Sequence, residues 1–117
     1  MSLPVPQDIG EKVLRLLADS DARAIMVAVH KKEMKATTIA ESLKIPLPTV
    51  YRKVAEMKEA GLLMVSRFLF NDSGGRESFY VCAVEGYEAR FTDGRLELRL
   101  YPSAESQGQR WYEKFRS

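Results

Sequence analysis

The stretch Thr37-Thr38-Ile39-Ala40-Glu41-Ser42-Leu43-Lys44-Ile45-Pro46-Leu47-Pro48-Thr49-Val50-Tyr51-Arg52-Lys53-Val54-Ala55-Glu56-Met57-Lys58-Glu59-Ala60-Gly61 holds two helical patterns on either side of one sharp break. Thr37 and Thr38 precede Ile39, Ala40 and Leu43, apolar positions at the spacing of a short helix. Its end falls at Lys44-Ile45-Pro46, because a residue before proline is pushed out of the helical region. Leu47 and Pro48 then open a longer helix whose inward face reads Val50, Val54 and Met57. Gly61 stops it, since glycine takes the left-handed conformation past a helix end at little steric cost.

Upstream, Ile9, Val13, Leu16 and Leu17 fall at helical spacing within Gln7 to Ala18, with Asp8 and Glu11 early, where carboxylates suit the positive end of the helix dipole. Ser20 is a good N-cap for a second helix, in which Ala24, Ile25, Ala28 and Val29 form the apolar stripe. His30, Lys31 and Lys32 close its last turn with positive charge. Downstream of Gly61 the period changes. Met64 to Phe70 and Glu77 to Val84 are β-rich, and Asn71-Asp72-Ser73-Gly74-Gly75 between them is dense in turn formers, so a hairpin with a long, flexible polar tip is expected.

A second hairpin turns at Asp93-Gly94. Taken as a two-residue loop, it pairs Phe91 with Leu96, Ala89 with Leu98 and Tyr87 with Leu100, one wholly apolar face. The other face places Arg90 opposite Glu97 and Glu88 opposite Arg99, and a one-residue slip would destroy both patterns. Pro102 ends the hairpin, and Ser103 caps a last helix bearing Trp111, Tyr112 and Phe115, with Gly108 as its weak point.

Helices followed by a hairpin are the order of a winged helix-turn-helix. The expected fold class is mainly α with a β wing (α+β), extended by a C-terminal β-hairpin and terminal helix. Residues 1–6 read as a disordered lead-in, 7–84 as the winged helix-turn-helix, and 85–117 as the extra hairpin and helix of the same domain, a dimerisation element. At 117 residues the chain has room for one ordinary core. Its 45% hydrophobic and 29% charged residues are the balance of a globular protein. No apolar run approaches the roughly 18 residues of a membrane span, and the N-terminus lacks a signal-peptide pattern, so a cytoplasmic location away from membranes is expected.

The net charge of +2 is unevenly spread. Lys31, Lys32, Lys35, Lys44, Arg52, Lys53, Lys58, Arg67 and Arg76 stand against Glu33, Glu41, Glu56, Glu59 and Asp72, which makes residues 31–76 net +4 and the remainder −2. The positive field therefore sits mid-chain, where a polyanion would be met. With Val50, Val54 and Met57 facing inward, Leu47, Pro48, Thr49, Tyr51, Arg52 and Lys53 lie on or near the outward side of the helix's N-terminal half, the part that enters the major groove in helix-turn-helix docking. Arg52 suits a guanine edge or a phosphate, Thr49 a base or thymine methyl, and the Tyr51 hydroxyl a phosphate. Lys35 with Thr37 or Thr38 would position the backbone, and Arg67 and Arg76 flank the wing tip for phosphates or a minor groove.

The residues Thr38-Ile39-Ala40-Glu41-Ser42-Leu43, Ile45 to Arg52 and Glu59-Ala60-Gly61-Leu62, with the lead-in Leu16-Leu17-Ala18-Asp19-Ser20-Asp21-Ala22-Arg23, resemble the ArsR-like winged-helix regulators of bacteria and archaea. The likeness covers about two-thirds of the chain. It implies a transcription regulator that binds double-stranded DNA as a homodimer and pairs through its terminal helices, here Ile9, Val13 and Leu16 with Trp111, Tyr112 and Phe115. Metal sensing is common in that family, but this sequence lacks the paired cysteines and histidine-acid clusters that such sites require.

The lone Cys82 reads as a small hydrophobe in a strand and excludes an internal disulfide, and the lone His30 reads as a cap on a helix dipole. No carboxylate pair has a context that raises one pKa, and Gly74-Gly75 is a hairpin tip, not a phosphate loop. No enzymatic activity, cofactor or metal is expected. A reading from another class is a winged-helix protein-interaction module docking on a transcription or replication complex through the aromatic tail and second hairpin.

Overall fold

The structure, a computed structural model, describes residues 1–107. Two helices, α1 (Gln7–Ala18) and α2 (Ser20–Ala28), lead through the short strand β2 (Met34–Lys35) to α3 (Ala36–Leu43) and α4 (Leu47–Glu59). Strands β3 (Leu63–Phe70) and β4 (Arg76–Cys82) form the first hairpin, β5 (Val84–Thr92) and β6 (Arg95–Pro102) the second, and α5 (Ala104–Gln107) follows. The strands make two antiparallel sheets, ordered β2-β4-β3 and β1-β6-β5, where β1 is Leu3–Pro4. This is the expected α+β winged helix, and no helix among the described residues is long and apolar enough to cross a membrane.

Val13 and Leu16 of α1, Ala22 and Ile25 of α2, Ile39 of α3, and Val50, Val54 and Met57 of α4 meet in one buried cluster with Leu62, Leu63 and Cys82. Leu98 and Leu100 of β6 belong to the same cluster. Gly10 keeps that joint close: a Cβ there would lie 3.2 Å from the Leu98 side chain, which would have to give by a few tenths of an ångström.

The break between α3 and α4 takes the expected place. Lys44 adopts the left-handed conformation (φ 57°) and buried Ile45 drops into the core. Pro46 then precedes a helix with proline in its first turn, where a missing N–H costs nothing. Gly61, at φ 81°, turns the chain out of α4 into β3.

The second hairpin has the register deduced from sequence, with Phe91 opposite Leu96, Ala89 opposite Leu98, Tyr87 opposite Leu100, Arg90 opposite Glu97 and Glu88 opposite Arg99. Asp93 and Gly94 both have positive φ (54° and 76°), as a two-residue hairpin turn of this hand requires. Its apolar face is buried only towards the base: Leu100 is inaccessible, while Phe91 near the turn is 75% exposed.

Four local expectations need correction. Asp19, not Ser20, caps α2, its carboxylate accepting the Ala22 N–H at 2.8 Å. Helix α2 stops at Ala28 with Val29 as C-cap, so His30, Lys31 and Lys32 lie beyond its last turn and not within it. Thr37 and Thr38 are inside α3, whose N-cap position is Lys35. The lead-in, expected to be disordered, supplies β1: Leu3 pairs with Leu100 and is buried, and the Val5 N–H donates to the Leu98 carbonyl at 2.9 Å. Leu3-Pro4-Val5 gave too short a pattern to read as a strand, and burial against β6 stabilises it instead of propensity.

Three backbone hydrogen bonds tie the β4–β5 junction to the end of α2, to the turn before β3 and to the end of β6. The Cys82 N–H donates to the Val29 carbonyl and the Ala83 N–H to the Leu62 carbonyl, each at 2.9 Å, and the Ser103 N–H donates to the Ala83 carbonyl at 3.0 Å. Ala83 alone separates β4 from β5.

Candidate nucleic-acid interface

Helix α4 divides cleanly. Val50, Val54 and Met57 are at most 1% exposed, whereas Pro48, Tyr51 and Arg52 face solvent and Thr49 is half-buried. Leu47, counted among the outward residues from sequence, packs in part against the core. Beside α4 lies a groove of about 120 Å³, formed by Lys35, Ala36 and Thr37 at the start of α3, Tyr51 of α4, and Arg76, Glu77, Ser78 and Tyr80 of β4. It brings Lys35, Thr37, Tyr51 and Arg76, candidates from three separate stretches of the chain, onto one surface between the second helix of the motif and the wing. Ser78 and Tyr80 had no sequence signal beyond their place in a β-rich run. Thr38 is half-buried in α3 and does not line the groove.

The cations of this surface are of two kinds. Lys53 is directed away from it: its ammonium lies 2.7 Å from the Asp19 carboxylate, with its side chain only 13% exposed. Lys53 first, and then the Ala22 N–H, hold the Asp19 carboxyl below the usual range. One carboxylate thus caps α2 and ties it to α4. Lys35 pairs with Glu77 at 3.2 Å, and Arg67 pairs with Glu33 while lying 3.9 Å from the centre of the Phe79 ring. Glu33 also accepts the Ser66 hydroxyl, and these two donors, Ser66 before Arg67, hold its carboxyl below the usual range. Arg52 and Arg76, by contrast, have no acidic partner among the described residues, and Arg76 is instead spread over the Phe68 ring at 4.3 Å. An exposed guanidinium without an acid beside it can engage a phosphate or a base edge without first breaking an ion pair.

The wing tip is more ordered than its composition suggests. The Asn71 side chain accepts from the N–H groups of Ser73 and Gly75 and from the Ser73 hydroxyl, at 2.9–3.1 Å. The Asn71 N–H donates to the Gly75 carbonyl at 2.9 Å. Asn71 is acting as a turn-builder, as asparagine commonly does. Immediately before it, Phe68, Leu69 and Phe70 are all exposed, a run of apolar residues that breaks the alternation of an ordinary wing strand.

The residues named for dimerisation are dispersed. Val13 and Leu16 are used in the chain's own core and so are not on a surface that another copy could reach, and Ile9 is half-buried. Trp111, Tyr112 and Phe115 lie outside the described residues. A separate apolar cavity of about 300 Å³ opens between α2 and the β4–β5 junction, lined by Leu17, Met26, Val27, His30, Val84 and Tyr87 among others. His30 borders it on the turn after α2. Burial drives the Tyr87 hydroxyl well above its usual pKa, and it donates to the Ala60 carbonyl at the end of α4. Cys82 is buried, as its strand pattern indicated.

Two helices joined by a tight turn, the β2-β4-β3 sheet behind them and a hairpin projecting beside the second helix together define a winged helix-turn-helix. Residues 17–66 match the family model described as "Helix-turn-helix domain". The chain is 29% identical over 103 residues to the ferric uptake regulation protein of Bordetella parapertussis, in a match covering 83% of this chain and 71% of that protein. Fold and comparisons together support a DNA-binding regulator of the winged helix-turn-helix class.

Proposed function

We propose that the protein is a sequence-specific, homodimeric transcription regulator of the ArsR-like kind, without enzymatic activity. It sets the N-terminal half of α4 in the major groove and the β3–β4 wing against the neighbouring backbone. The carrying observation is the groove that runs from Tyr51 through Thr37 to Arg76, with the exposed Arg52 next to Tyr51 on α4, both arginines lacking an acidic partner among the described residues. In this arrangement Arg52 and Thr49 read bases, and Tyr51, Thr37 and Arg76 hold phosphates. Homodimerisation is supported by the family resemblance and by Val27 and Phe91, large apolar side chains left 77% and 75% exposed. The named relative is a regulator of iron uptake. Among the described residues, however, no three His, Cys, Asp or Glu side chains gather where they could hold a metal ion, and the proposal carries no iron response over to this chain.

In vitro selection from random duplexes tests the reading. A palindromic consensus, bound with an affinity that falls steeply as salt rises, is the expected result. Failure to enrich any duplex, or a flat salt response, would refute it. Sedimentation of the free protein and of a Phe91→Glu variant addresses the dimer separately, a monomeric wild type at micromolar concentration being the adverse outcome.

A further inference from the structure

Resting on the DNA-binding reading, we propose that the wing tip is a wedge: Phe70 enters the minor groove of the bound duplex, opens a base step and bends the DNA. Phe68, Leu69 and Phe70 are 42%, 44% and 78% exposed at the end of β3. Side chains alternate along a strand, so Phe68 and Phe70 share a face, and the pairing of Phe70 with Arg76 and Phe68 with Ser78 puts those two residues on it as well. Arg76 and Ser78 line the groove beneath Tyr51 and Thr37. The aromatic pair therefore stands on the side of the wing turned towards α4, the side a duplex would occupy.

The two rings have different duties. Phe68 carries the Arg76 guanidinium at 4.3 Å and is occupied in steadying that cation. Phe70, nearest the turn, has no such partner and is the most exposed large apolar side chain described. The Asn71 hydrogen bonds fix the turn behind it, so its ring is presented without the entropic cost of ordering a loop. Charge selects the occupant. Arg76 beside the ring has no acidic partner among the described residues, and of the wing's two acids Glu77 is paired with Lys35 while Asp72 lies out in the turn. A minor groove offers negative potential for the arginine and, between base pairs, an apolar slot for the ring, and proteins that insert such wedges kink the duplex by roughly 20–90°.

The test uses a selected duplex carrying a fluorophore pair at its ends, with 2-aminopurine placed in turn at each flanking step. Wild-type protein is expected to shorten the end-to-end distance and to raise 2-aminopurine emission at one step. Phe70→Ala should bind within about tenfold of wild type, because the burial it loses is offset by stacking it no longer breaks, yet leave the duplex straight and the probe quenched. Phe70→Leu should retain the bend. Phe70 is so exposed that its variants should melt with the wild type, which separates this effect from misfolding. A duplex bound by wild type but left straight, or bent equally by Phe70→Ala, overturns the wedge and leaves DNA binding standing. If wild type binds no duplex, both readings fall.

Discussion

Adjacent cations on α4 are expected to fail in opposite ways. Arg52 is exposed and has no acidic partner among the described residues, so Arg52→Ala should leave stability within about 0.5 kcal/mol of wild type. A bidentate arginine–guanine contact is worth about 1–3 kcal/mol, so the same change should weaken binding to a selected site by roughly 5- to 150-fold. If Arg52 clamps a phosphate instead, the slope of log affinity against log salt should fall by about one. Lys53 is the reverse case. Its pair with Asp19 spans 2.7 Å at 13% and 35% side-chain exposure, and the lysine stem is packed between α4 and the start of α2. Lys53→Ala should cost about 1 kcal/mol through the lost pair and stem, a fall in Tm of about 3–5 °C for a domain of this size. Its effect on Kd should stay within about threefold, since the charge removed is already neutralised and releases few counterions. Circular dichroism melts and fluorescence anisotropy at several salt concentrations read both quantities on the same samples. Equal losses of affinity in the two variants, or a melting shift confined to Arg52→Ala, would refute the division of α4 proposed above.

Other outcomes follow from the same geometry. Asp19 is held below its usual pKa, so its stabilising effect should be fully present above about pH 4 and disappear as pH falls through the lowered value. Urea titrations across that range should show Asp19→Asn, which can still cap α2, converging on wild type as the solution is acidified. Leu100→Ala, at an inaccessible position shared by both sheets and α1, should cost about 2–5 kcal/mol and lower a single unfolding transition, whereas a separate early transition would mean that the second hairpin has its own core. Gly94→Ala should cost about 1–2 kcal/mol for its left-handed backbone and Gly94→Asn much less, because nothing crowds the position; equal losses would point to a steric cause.

How much of this could be read from the chain depended on whether the signal was local. Val50, Val54 and Met57 declared their face by spacing alone, and Asp93-Gly94 fixed five strand pairings because alternation on both faces agreed with one loop length. The capping of α2 by Asp19 was missed because two adjacent residues were both competent caps, and only the approach of Lys53 from α4, thirty-four positions away, favours the first. For the same reason Lys53 resembled Arg52 in sequence while its surroundings set it apart. The wing's own signal was present: three successive apolar residues before a turn are out of place on a solvated strand. Their meaning depends on which face looks towards α4, and that is fixed by the pairing of β2 with β4 at Lys35 and Phe79.

Ala83 is the only residue between the wing and the second hairpin, and its two backbone hydrogen bonds reach Leu62, in the turn between α4 and β3, and Ser103, just before α5. The joint is one residue long and is held on both sides. The two hairpins follow each other through this one residue, with Phe70 towards the tip of one arm and Phe91 towards the tip of the other. A protein or second copy that grips the outer arm would therefore hold the same continuous piece of chain that presents the wing.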